Sequence, residues 1–153
     1  MPLEVNVTLS LPRDELTVPV VRHLCRHALQ ELGVASQCKS DILLALTEAC
    51  TNVIDHSGGS HDYQVDLKLD EARCTIRVRD EGAGFDVDDT QGTVDLTAEA
   101  GRGIDLMNAL VDRVSFVSEP CEGTIVNLYK ELEFEEGHPV RERLLGHVPP
   151  AVD

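Results

Sequence analysis

The chain has 153 residues, 42% of them hydrophobic, with 28 Asp and Glu set against 13 Lys and Arg. That is the length of one ordinary domain with enough apolar content for a core, which excludes global disorder. The formal net charge of -15 repels nucleic acid, whose binding rests on neutralising phosphates. It favours a basic protein partner, and an anionic ligand would need local help from backbone amides, a metal or a placed Arg.

Residues 3 to 9, LEVNVTL, alternate apolar and polar side chains as a half-buried strand does. From Asp14 to Leu32, the residues Val21, Leu24, Cys25, Ala28 and Leu32 recur at helical spacing, and Gly33 stops the run. Residues 40 to 55 predict a second helix, with Ile42, Leu46, Ala49 and Val53 as its buried stripe and Ser40 as its N-cap. Tyr63, Val65, Leu67 and Leu69 then point one way, and Cys74, Ile76 and Val78 repeat the pattern after a turn at Asp70 to Ala72, which reads as an antiparallel hairpin.

Periodicity vanishes from Asp86 to Gly103, a polar, acidic, glycine-punctuated stretch, and a loop of that length is usually functional or disordered. Helical spacing resumes over Ile104 to Val111. RVSFVS and GTIVNLYKEL read as two final strands. The resulting order, β-α-α-β-β-loop-α-β-β, predicts an α+β two-layer sandwich, its helices packed on one face of a mostly antiparallel mixed sheet. The domain is expected to span residues 1–132. Residues 133–153, rich in proline and charge, read as a mobile tail with a short helix near Val140 to Leu145.

No apolar run approaches the ~20 residues of a membrane helix. The N-terminus lacks the basic start and apolar middle of a secretory signal, so the expected compartment is the cytoplasm. The five cysteines include no C-x-x-C pair and are expected to be reduced, with Cys25, Cys50 and Cys74 as small core residues. The six His show no zinc spacing.

Three clusters carry possible chemistry. Glu48 and Asn52 lie four apart on one side of the second helix, at the edge of its buried stripe. They read either as a solvated polar face or as a pocket wall in which a hard amide oxygen binds Mg²⁺ beside a carboxylate base. In VRDEGAGFD, Asp80 ends a strand and Gly82 and Gly84 permit close backbone approach. This is either a plain turn or a carboxylate placed to accept from an amino group such as that of adenine. In GRGIDLM, two glycines lead into a helix, whose first turn offers free N–H groups to phosphate, with Arg102 adding a charge-assisted contact.

Taken in order, these clusters resemble the boxes of the GHKL (Bergerat-fold, histidine-kinase-like) ATPases: Glu48-x-x-x-Asn52 the N box, DEGAGF and GRGI the two glycine boxes, and EGTIVNL the closing G-T segment. GRGIDLMNALVDRVSF resembles one branch in particular, the anti-sigma factor serine kinases. The resemblance implies that the ligands are ATP and Mg²⁺, with Asn52 coordinating the metal and Glu48 acting as general base toward a partner serine. Asp80 would bind the adenine amine, beside a wall that includes Gly82, Gly84 and Phe85. Gly101, Arg102, Gly103 and Ile104 would stand on the phosphate side, and Thr124 near the adenine.

The implied partners are a sigma factor and an anti-anti-sigma protein of the STAS type, with a homodimer plausible. Two features depart from the family. Asp105 would weaken ATP binding if it faced the phosphates and would mean nothing if it faced solvent. The loop is acidic (Asp86, Asp88, Asp89, Asp95, Glu99), with Arg102 its one cation. Both departures support an alternative, an ATP-binding switch that holds its partner without kinase activity.

Overall fold

The computed structural model describes residues 3–56, 62–80, 98–119, 123–139 and 142. In chain order these form β1 (Val5–Leu11), a 3-10 turn (Glu15–Thr17), α1 (Val18–Glu31), α2 (Ser36–His56), β2 (Tyr63–Leu69), β3 (Arg73–Asp80), α3 (Ala98–Leu110), β4 (Arg113–Glu119) and β5 (Gly123–Glu131). Gly82, Gly84, Phe85, the acidic residues 86–95 and most of the expected tail helix lie outside the described residues.

The strands form one sheet in the order β1-β2-β3-β5-β4. Every described pairing is antiparallel, so the parallel component expected of a mixed sheet is not found among them. Alternation fixes the two faces. Tyr63, Val65, Leu67 and Leu69 of β2 and Cys74, Ile76 and Val78 of β3 are buried, and they meet the buried stripe of α2: Ile42, Leu46, Ala49 and Val53. α2 is the central helix, packed against α1, α3, β3 and β5. The hairpin turn is held by Asp70, whose carboxylate accepts from the N–H groups of Ala72 and Arg73, both at 2.8 Å.

Three helix starts differ from the sequence expectation, each for a physical reason. Asp14 caps a 3-10 turn by accepting from Leu16 N–H (2.9 Å), and α1 proper begins at Val18. The reason is Pro19, which lacks an N–H and is tolerated only in a first turn. α2 begins at Ser36, so Ser40 lies inside the helix rather than capping it. Its start is set by a distant segment, since Ala35 N–H donates to the Glu133 carbonyl (2.7 Å).

α3 begins at Ala98, which places Gly101 and Gly103 within the helix and not ahead of its first turn. Ala and Glu are strong helix formers, and they carry the helix through 98–100 although no apolar period marks it.

The chain does not leave the fold at residue 132. Val34 and Phe134 form an isolated antiparallel bridge, and Glu135 N–H donates to the Gly33 carbonyl (2.7 Å). Gly33 has φ +77°, and a Cβ there would stand 2.5 Å from the His138 ring, so only glycine fits this crossing. Among the described residues no helix is long and apolar enough to cross a membrane.

Candidate active site

The candidate site is built at the end of the sheet where β3 finishes. Tyr63 pairs across to both Leu11 of β1 and Asp80 of β3, so these three residues form the last row. Asp80 follows Arg79, and Thr124 precedes Ile125, the cross-strand partner of Arg79. Asp80 and Thr124 therefore adjoin on neighbouring strands, both on the helix-covered face. The C-terminal part of α2 reaches the same end, because Arg13, two residues beyond β1, donates from Nη2 to the Ile54 carbonyl (3.0 Å). A cation there also complements the negative end of the α2 dipole.

Glu48 and Asn52 stand one turn apart on α2, and α3 crosses directly over them. A Cβ at Gly103 would lie 3.3 Å from both Glu48 Oε2 and Asn52 Nδ2, and 3.4 Å from Asn52 Oδ1. The absence of a side chain is thus what lets α3 approach. Arg102 and Asp105 are exposed on α3, and Ile104 is half-buried against the core.

Three polar residues interrupt an otherwise apolar interior: Asn52, 6% exposed, Asp80, 2%, and Thr124, 0%. Among the described residues, Asn52 Nδ2, Asp80 Oδ1 and Thr124 Oγ1 are buried and have no hydrogen-bond partner. Leaving a buried polar group unpaired costs about 1–3 kcal/mol, more if it is charged, so these three atoms make the region a candidate for a bound ligand. Their chemistry fits a purine triphosphate with its metal. A carboxylate oxygen matches an exocyclic amine, a hydroxyl serves a ring nitrogen, and an amide can turn its oxygen to Mg²⁺.

The surrounding titratable groups are structural. Tyr63 shares a 2.6 Å hydrogen bond with Thr17 Oγ1; burial pushes its phenol up to about 12, although the Thr17 bond pulls the other way. Burial likewise raises the thiols of Cys25, Cys50 and Cys74, which sit in the core as expected. Sequence reasoning did not single out Arg13 or Thr17 as the clamps that fix this end of the site. A lone cation and a lone hydroxyl before a helix carry no signal of a long-range partner.

Residues 11–130 match the histidine kinase-like ATPase domain family. The chain belongs to that family. Membership in this ATPase family carries ATP binding with it. One relative of the ATPase domain, the serine-protein kinase RsbW of Halalkalibacterium halodurans, is 31% identical over 143 residues, covering 86% of each chain. RsbW of Bacillus velezensis is 28% identical over 141 residues, covering 84% of this chain and 87% of the relative.

Among solved structures, a Mycobacterium tuberculosis protein with RsbU and RsbW domains superposes with a TM-score of 0.65 at 20% identity. The overlap covers 84% of this chain but only 32% of that longer chain, and the likeness shows the fold.

Proposed function

We propose that the chain is an ATP-dependent serine-protein kinase and anti-sigma factor of the cytoplasm. It phosphorylates a serine of a STAS-type anti-anti-sigma partner and, in its other complex, sequesters a sigma factor. The observation that carries this reading is the meeting of Gly103 with Glu48 and Asn52, which brings a carboxylate, an amide and a glycine of α3 to one point. The serine-protein kinase relatives, aligned over most of their length, support it.

In this reading Asn52 would hold Mg²⁺, which would supply charge neutralisation on the phosphates. Asp80 and Thr124 hold the adenine, with Gly82, Gly84 and Phe85 as the adjoining wall. Gly101 and Gly103 keep α3 close to the phosphates, Arg102 reaches toward them from its exposed position, and Ile104 anchors the helix to the core. Glu48 takes the proton of the partner serine as its oxygen attacks the γ-phosphorus. The new serine O–P bond forms as the β–γ bridging bond breaks, and ADP leaves.

Few catalytic groups are needed, because phosphoryl transfer rests on positioning and charge stabilisation. Asp105 is exposed three residues along α3 from Arg102, a neighbour on the same helix surface, so together with the acidic loop it remains the support for a switch without kinase activity. The test is incubation with Mg-ATP and an anti-anti-sigma domain. Phosphate is expected on the partner serine, and Glu48→Gln is expected to abolish transfer while ATP still binds. Binding without transfer by the parent protein would favour the switch instead.

A further inference from the structure

The sheet's second face carries chemistry that the candidate nucleotide site does not use. Along β3, Cys74, Ile76, Val78 and Asp80 turn toward the helices, while Arg73, Thr75, Arg77 and Arg79 turn away. The register continues this outer face through Lys68 on β2, Asn127 and Tyr129 on β5, and Arg113 on β4. Among the described side chains at outward-facing strand positions, five of the chain's 13 Lys and Arg stand here (Lys68, Arg73, Arg77, Arg79 and Arg113), against two of its 28 acids (Asp66 and Glu131), with Glu4 just ahead of β1 and Asp62 and Asp70 at the two ends of β2. The local sign is opposite to that of the molecule.

Glu4 and Asp66 are already engaged. Glu4 pairs with Lys68 (3.6 Å), and Asp66 accepts from Thr8 (2.9 Å) and Gln64 (3.2 Å). Three arginines make their described side-chain contacts to neutral groups, although Arg73 stands directly across from Glu131. Arg77 Nε donates to Asn127 Oδ1 (3.1 Å), and Asn127 in turn donates to Ser115 Oγ (3.1 Å). The guanidinium groups of Arg73 and Arg113 each lie 5.7 Å from the centre of the Tyr129 ring. Neutral partners fix a guanidinium without cancelling its charge. The lining of a shallow concavity beside them includes Lys68, Thr75, Arg77 and Asn127 together with Asp66, whose carboxylate Thr8 and Gln64 already hold. Among the described residues no element packs on this face.

We propose that this outer sheet face docks an acidic segment of a partner protein, whose carboxylates are received by Arg73, Arg77 and Arg113. Arg73 and Arg77 are four residues apart along β3, about 13 Å, and Arg113 lies two strands away from β3, about 10 Å. One short extended segment with spaced Asp or Glu spans those distances. A second copy of this chain would bring the same cations face to face. A long polyphosphate would extend beyond the patch over a molecule of net charge -15. The candidate site lies on the helix side of the sheet, so this inference stands or falls separately from the kinase reading.

The test uses the full chain and a fluorescein-labelled peptide of about 12 residues alternating Glu and Ser, followed by anisotropy at roughly 50 and 300 mM salt. The peptide is expected to bind at low salt and a Gln/Ser peptide is not. Arg73→Gln/Arg77→Gln/Arg113→Gln should weaken binding at least about tenfold with ATP affinity unchanged. Arg77→Lys alone, which keeps the charge but not the Asn127 bond, should give a smaller loss and guards against misfolding of the triple variant.

Failure of the peptide to bind the parent, or equal binding by the triple variant, overturns the proposal. So does arginine-dependent binding of a thymidine oligonucleotide as tight as that of the peptide. Self-association of the parent chain that the triple variant loses would make a second copy the occupant, and also overturns it.

Discussion

Asp80 states the residue-scale logic most directly. A carboxylate at 2% exposure with an unpaired oxygen is unfavourable in the empty protein and useful only when something donates to it. Asp80→Asn keeps the size, removes the charge and offers a donor where an amine must donate. ATP affinity is expected to fall tenfold to a hundredfold, the loss of roughly 1.5–3 kcal/mol that a hydrogen bond to a charged group provides. The melting temperature without nucleotide should hold or rise. Calorimetry and thermal melts check both, and a sharp fall in melting temperature would make Asp80 a structural residue instead. Its position was legible in the sequence, because strand alternation through Ile76 and Val78 ends on it. That it has no partner was not, since hydrogen-bond satisfaction is a property of the assembled interior.

At the scale of elements, the decisive contact is α3 lying across α2. Glycine inside a helix is unfavourable by roughly 0.5–1 kcal/mol relative to alanine, so Gly103→Ala should leave the melting temperature unchanged or raise it. The added methyl would press at 3.3 Å on Glu48 and Asn52. Those groups must give way by a few tenths of an ångström, and ATP affinity is expected to drop about tenfold, roughly 1.4 kcal/mol. Parallel melts and calorimetry read the opposite signs. The sequence pattern revealed the strands, the α2 stripe and the order of the boxes, because each is a local period. The helix starts were misplaced where something non-local or non-periodic decides them: the Glu133 carbonyl for α2, and a polar but helix-favouring run at 98–100 for α3.

For the whole molecule, the buried interface between the layers sets an alkaline limit. Cys25 titrates near 12 against an ordinary 9.0, and Tyr63 near 12 against 10.0, both through burial; Cys50 and Cys74 shift the same way. The folded state therefore keeps protons that the unfolded chain has lost, and stability falls as pH rises through that window. The urea midpoint should be insensitive to these groups below about pH 9 and decline above it. The decline should be shallower in Cys25→Ala/Cys50→Ala/Cys74→Ala, as denaturation at a series of pH values would show. The unpaired atoms of Asn52, Asp80 and Thr124 have a wider consequence. A ligand that completes them adds about 2.7 kcal/mol at a hundredfold excess over its dissociation constant. Nucleotide seated there would then shield the chain from proteolysis, and limited digestion is expected to run more slowly with ATP than without it.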